Sequence, residues 1–177
     1  QERASNVRVA ATLRKLLEWG AVPVINENDT TTTEEITFGD NDLLAAQVAI
    51  LLGAAKLVLL TEADGLHEAD PRTDANAPLV AEVTDFAQLK GFEIAQNANS
   101  LGSGGMRSKG ISAELATDAG IETIVGPGLV SGTLLAAATG GGVGTVFRAS
   151  SGGHGSFRAW LRFAKQSSGA VEIDAGA

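Results

Sequence analysis

The stretch Gly102-Ser103-Gly104-Gly105-Met106-Arg107-Ser108-Lys109 is the part of this chain best equipped for chemistry. Backbone without Cβ can approach a polyanion closely, and its free N–H groups can point at one. A helix-like segment follows at once. Its N-terminus would add partial positive charge, and Lys109 adds a full one. That combination suits phosphate. The spacing is neither a G-x-x-x-x-G-K-[ST] phosphate loop nor a dinucleotide fingerprint. The string therefore specifies a ligand chemistry without specifying a fold, and a glycine-rich surface loop is the competing reading for such a cluster on its own.

Three further strings carry clustered polar groups. Asn26-Glu27-Asn28-Asp29 follows an apolar run and suits a polar substrate, such as one with an ammonium group; Asn and Asp also close turns by themselves. Gly39-Asp40-Asn41-Asp42 stands at a helix start. One cap does not need three polar residues in a row, so a carboxylate there could hold a lysine, or a metal through water, and an Asn could bind a substrate carboxylate or amine. Thr61-Glu62-Ala63-Asp64-Gly65-Leu66 leaves a buried strand, where Thr61 can offer its hydroxyl and backbone to a nucleotide. Other residues read as structural. Asp70-Pro71-Arg72 is a stop, Met106 a packing residue, Trp19 and Trp160 core or interface aromatics, and His67 and His154 lack metal-ligand spacing.

The elements that must position these groups follow from periodicity and breakers. Residues 3–19 read as an amphipathic helix with Val9, Leu13, Leu16 and Leu17 on one face, stopped by Gly20. Val22–Ile25 reads as a strand, Thr30–Phe38 as a β-prone hairpin or excursion, Leu43–Leu52 as a buried helix, and Lys56–Thr61 as an inner parallel strand. A loop over 62–78 precedes a short strand at 79–83 and a helix over 85–93 capped by Asp85. Arg107–Ala119 reads as a strong helix, Ile121–Val125 as a buried strand, Leu129–Ala138 as a helix, and Val143–Phe147 as an edge strand. Strands alternating with helices predict an α/β fold: a three-layer αβα sandwich around a mostly parallel sheet. Ligands in such sheets collect beyond the carboxyl ends of the strands.

At 177 residues and 44% hydrophobic, the chain suits one well-cored domain. Thirteen basic against twenty-one acidic residues give −8, which argues against a nucleic-acid surface. Cysteine is absent, which removes thiolate metal sites and disulfides and fits a cytoplasmic setting. No apolar run reaches membrane-spanning length and no signal peptide is visible, so no membrane partner is expected. The opening at Gln1 and the close at Ala177 read as cuts from something longer.

Taken together and in order, VPVINEND (22–29), GDND (39–42), LLTEADGL (59–66), DPR (70–72) and LGSGGMRSK (101–109) resemble the glutamate 5-kinases of the amino-acid kinase superfamily. Val143-Gly144-Thr145, the 158–161 patch and 171–177 are similar to that family's exit into a C-terminal PUA domain. The resemblance implies residues 1–149 as a partial amino-acid kinase domain, 150–169 as a linker, and 170–177 as the start of a PUA domain. It implies ATP-dependent phosphorylation of the γ-carboxylate of L-glutamate with Mg²⁺, as the first step of proline synthesis. In that reading Asp29 and Asn41 bind glutamate. Thr61 and Glu62 bind ATP together with Ser103, Gly104, Gly105, Met106, Arg107, Ser108 and Lys109. Lys109 stabilises the transferring phosphoryl group, and Asp42 orients catalytic lysines. No protein side chain is assigned as a metal ligand, and a homo-oligomer is implied for the full-length form.

The sequence departs from the family in three ways. The family's N-terminal strand and glycine loop, with its lysine and a glutamate-binding serine, have no counterpart here, so the 177-residue chain by itself is expected to show little or no kinase activity. The PUA part stops at its first strand. Glu62 and His67 stand where Asp and Tyr are common. Two alternatives stay open: another superfamily member acting on acetylglutamate, aspartate or uridylate, and a non-catalytic nucleotide-binding or RNA-associated fragment.

Overall fold

The computed structural model describes residues 2–26, 41–69, 71–72, 74–91 and 105–150. Helix α1 (Glu2–Glu18) is followed by α2 (Asn41–Leu52), β1 (Lys56–Thr61), β2 (Glu82–Val83), a 3₁₀ segment at Phe86–Gly91, α3 (Met106–Asp118), β3 (Glu122–Pro127), α4 (Thr133–Thr139) and β4 (Thr145–Phe147). The strands form one sheet in the order β1-β3-β4-β2. β1 pairs with β3 in parallel from Lys56↔Glu122 to Thr61↔Pro127, β2 pairs with β4 in parallel, and only β3 and β4 run antiparallel. The sheet is therefore mixed and mostly parallel.

The core lies between the sheet and the α2–α3 pair. Small residues let those two helices come close: Ala46, Ala113, Ala116 and Ser112 are fully buried, and Leu57, Leu59, Val83, Val125 and Phe147 close the cluster from the sheet side. Phe147 stacks on Phe86 with ring centroids 5.5 Å apart. Ile124 and Ala137 are buried outside that cluster, and α4 packs on β1 and β3, so the sheet is covered on its other face as well. The apolar run Ile121–Val125 becomes a central strand because both of its faces have helices to pack against, and Lys56–Thr61 pairs beside it in parallel.

Several local readings change in three dimensions. Val22–Ile25 forms no strand; Val22 and Val24 are exposed, and no described strand offers them a ladder. β4 is not an edge strand: it lies between β3 and β2, with Thr145 and Phe147 buried. β1 is parallel as read, yet among the described residues it ends the strand order, and its Leu60 is exposed. The segment after Asp85 winds as 3₁₀ rather than α-helix, while the Asp85 carboxylate accepts the Ala87 N–H at 2.8 Å as a cap. α4 starts only at Thr133, after Gly132. On α1 the buried face is Ala10 and Leu13, with Val9 and Leu17 outside, and Trp19, read as a core or interface aromatic, is outside the core and exposed under the Lys15 ammonium.

Candidate functional site

Two helix–strand units build the site. Short connections at 53–55 and 119–121 make α2 run back along β1 and α3 along β3. The N-termini of α2 and α3 therefore stand at the carboxyl edge of β1 and β3, where Thr61 and Pro127 end side by side. Gly128 N donates to the Thr61 carbonyl at 2.7 Å, extending that edge beyond the paired residues.

Asp42 lies in the first turn of α2 and Lys109 in the first turn of α3. Lys109 Nζ donates to both carboxylate oxygens of Asp42, at 2.9 Å to Oδ1 and 2.8 Å to Oδ2. Both side chains are largely buried, 11% and 16% exposed, so little water competes with the pair. Asp42, in the string read from sequence as able to hold a lysine, is here the partner of one. The N-cap of α3 is Gly105, in extended conformation and without a side-chain cap hydrogen bond. The Ser108 and Lys109 N–H groups donate to the Gly105 carbonyl at 3.0 and 3.4 Å, and a helix start of this kind suits an anion. Ser108 is buried.

Asn41 is exposed at the start of α2, and Glu62 stands just past β1. Met106 is partly buried against the core cluster, a packing position at the edge of the loop. Asp29, Asp40, Ser103 and Gly104 lie outside the described residues, as do Thr30–Phe38, His154, Trp160, the 150–169 linker beyond residue 150 and the 170–177 segment. The structure thus brings Asp42 and Lys109 together and sets Thr61, Gly105 and Ser108 at the same sheet edge. Among the described residues, no group of three or more His, Cys, Asp or Glu gathers as a metal site. No described helix is long and apolar enough to cross a membrane.

Sequence reasoning missed two contributors. Thr145 Oγ1 accepts the Leu66 N–H at 2.8 Å and anchors the segment leaving β1. His67, read as structurally bland, hydrogen-bonds at both ring nitrogens, to Asp64 Oδ1 and to the Ala77 carbonyl, each at 2.7 Å. The positions of His67 and Asp64, three residues apart, were the available signal for the second.

A layered, mostly parallel sheet with two helix starts at its carboxyl edge defines an α/β fold that gathers ligands at its strand ends. The profile of the amino acid kinase family matches residues 2–126, and the chain belongs to that family. Glutamate 5-kinase of Mycobacterium tuberculosis (strain ATCC 25618 / H37Rv) is 45% identical over 99% of this chain. The chain spans about half the length of that relative, 46% of it. Among solved structures, UMP kinase from Bacillus anthracis aligns with a TM-score of 0.53 at 14% identity, over 81% of this chain and 50% of that one. An isopentenyl phosphate kinase aligns at 0.55 and 22%, over 77% of this chain and 49% of that one. At such identities these structures speak for the fold alone.

Proposed function

We infer that this chain is the nucleotide-binding part of an ATP-dependent glutamate 5-kinase, which transfers the γ-phosphoryl group of ATP to the γ-carboxylate of L-glutamate. The carrying observation is the Asp42–Lys109 pair at the foot of two helices, beside the carboxyl end of β1. The family match and the 45% identity to a protein named glutamate 5-kinase support the same choice of acceptor.

In this reading a glutamate carboxylate oxygen attacks the γ-phosphorus, the bond to the β-bridging oxygen breaks, and ADP leaves with that electron pair. The protein's share is positioning and charge neutralisation. Residues 103–109 and the uncapped α3 start cradle the triphosphate through main-chain N–H groups, and Gly105 allows the close approach. The Lys109 ammonium meets the charge that develops on the transferring oxygens. Asp42 fixes that ammonium, so little reorganisation is needed when the charge appears. Thr61 and Glu62 take the nucleoside side, and Asn41 with Asp29 takes glutamate. Magnesium enters as the ion carried by ATP.

The same reading places the reaction in the cytoplasm, at the start of proline synthesis. It extends to an assembly of several copies, supported by the exposed aliphatic residues Leu129, Val130, Leu134 and Leu135 on and before α4.

The test is ATP titration by calorimetry with and without Mg²⁺, paired with an assay for γ-glutamyl phosphate. The 177-residue chain is expected to bind ATP and to turn over little or no glutamate. A protein of the relatives' full length carrying these residues is expected to phosphorylate glutamate in preference to acetylglutamate, aspartate or uridylate. Preference for one of the others would replace the substrate, and absence of ATP binding would remove the nucleotide role.

A further inference from the structure

The segment that leaves β1 folds back on itself around one histidine. His67 is turned inward, with its side chain 13% exposed. Its Nε2 lies 2.7 Å from Asp64 Oδ1, and its Nδ1 lies 2.7 Å from the Ala77 carbonyl oxygen. Both partners only accept hydrogen bonds. A neutral imidazole has one N–H and satisfies one of them, whereas an imidazolium has two and satisfies both.

The fold around the ring is tight. His67 bridges Leu79 in antiparallel fashion, Val80 N donates to the Leu66 carbonyl at 2.7 Å, and Glu68 N donates to the Pro78 carbonyl at 3.1 Å. Leu66 is buried and its N–H is tied to Thr145 of β4. A Cβ on Gly65 would lie 2.8 Å from both Thr145 Oγ1 and Leu79 Cδ1, so the chain passes there with no room to spare. Among the described residues, Asp64 is the charge acting on the ring. The 77–79 side presents the Ala77 carbonyl and Leu79, and β4 presents the uncharged Thr145 to the adjoining Leu66.

We propose that His67 is a positioning residue: as an imidazolium it clasps Asp64 to Ala77, closes the loop between them, and thereby holds the carboxyl end of β1, with Thr61 and Glu62, in its nucleotide-receiving arrangement. This rests on the nucleotide role inferred above for Thr61 and Glu62. The proton dependence has a definite sign. The Asp64 hydrogen bond foremost, helped by the Ala77 carbonyl, raises the His67 pKa above its ordinary 6.5, against the opposing effect of burial. The clasp is complete below pH 6.5 and is lost as pH rises through the raised value. At the acid end, the His67 hydrogen bond lowers the Asp64 pKa below its ordinary 3.8, so the carboxylate survives further into acid.

The experiment follows the histidine resonances of the whole 177-residue chain by NMR over roughly pH 5 to 9, with His67→Gln assigning the signal. Amide exchange protection at Leu66 and Val80, and ATP affinity by calorimetry, are measured across the same range. His67 is expected to titrate above 6.5. As the proton leaves, protection at both amides should fall and ATP affinity should weaken roughly three- to tenfold. His67→Gln and the exposed Asp64→Asn should both flatten that step. A His67 value at or below 6.5, or a pH dependence of ATP affinity identical in the wild type and His67→Gln, overturns the clasp while leaving the nucleotide reading in place. Absence of ATP binding at every pH, with His67 still titrating high, ends the nucleotide role of Thr61 and Glu62 and the positioning role with it.

Discussion

Asp42 and Lys109 are 67 residues apart in the chain, yet the lysine ammonium sits within 2.9 Å of both carboxylate oxygens. Each residue occupies the first turn of its helix, and the small-residue packing of α2 on α3 sets the distance between those turns. The pair is thus a consequence of helix packing, and it holds a cation at the start of a helix whose N-cap is a glycine.

Replacing Lys109 by Ala in a full-length context should lower kcat by about 10²–10³, the usual loss for a preorganised contact to developing charge. Asp42→Asn leaves the ammonium in place but unfixed, and should cost up to about 10². Steady-state kinetics checks both, with circular dichroism confirming the fold. Unchanged kcat in Lys109→Ala would remove that residue from the mechanism.

An ion-pair chain crosses the sheet in strand order. Lys56 on β1 meets Glu122 on β3 at 2.9 Å, and Arg148 just past β4 meets both Glu122, at 2.7 Å, and Glu82 on β2. Lys56 foremost, then Arg148, lowers the Glu122 pKa from its ordinary 4.5 against the effect of burial. Its contribution to stability is therefore present above pH 4.5 and lost as pH falls through the lowered value. Glu122→Gln should cost about 1 kcal/mol at neutral pH, less at high salt. Denaturant melts should show the gap to the wild type closing in acid.

Gly144 turns the chain into β4 with φ at +67°, and a Cβ there would run into the Val125 carbonyl on β3. Gly144→Ala combines backbone strain with a clash against a central strand. A loss of roughly 2–5 kcal/mol is expected, read as a lower urea midpoint. A shift of a few tenths would mean that β3 and β4 yield more easily than their pairing indicates.

Ser112 has the opposite sign. Its hydroxyl is fully buried on α3 and has no hydrogen-bond partner among the described residues. Removing an unpaired polar group from a core should be neutral or stabilising, by about 1 kcal/mol. Thermal unfolding of Ser112→Ala checks this, and a clear loss of stability would reveal a partner for that oxygen.

Much of this architecture was legible in the residues themselves. The periodicity of α1, α2 and α3 and the apolar runs of β1 and β3 located those elements to within a few positions, because such signals depend on neighbours three or four residues away. The glycine-rich string at 102–109 points to phosphate chemistry on local grounds alone, since bare main-chain amides and a lysine serve anions in any fold. Which groups meet was decided only by tertiary structure. The polar string at 39–42 could have done no more than cap its helix, and nothing local chose Lys109 as the partner of Asp42. Val143–Phe147 looked like an edge strand, and only the order β1-β3-β4-β2 placed it inside the sheet. Val22–Ile25 had strand composition but no described ladder to join. His67 lacked any ligand-like spacing, and gained a partner at each ring nitrogen only once the loop brought Ala77 to Nδ1. Propensity and periodicity act over a turn of chain, whereas pairing partners are set by register and packing across long sequence separations, which short polar strings do not encode.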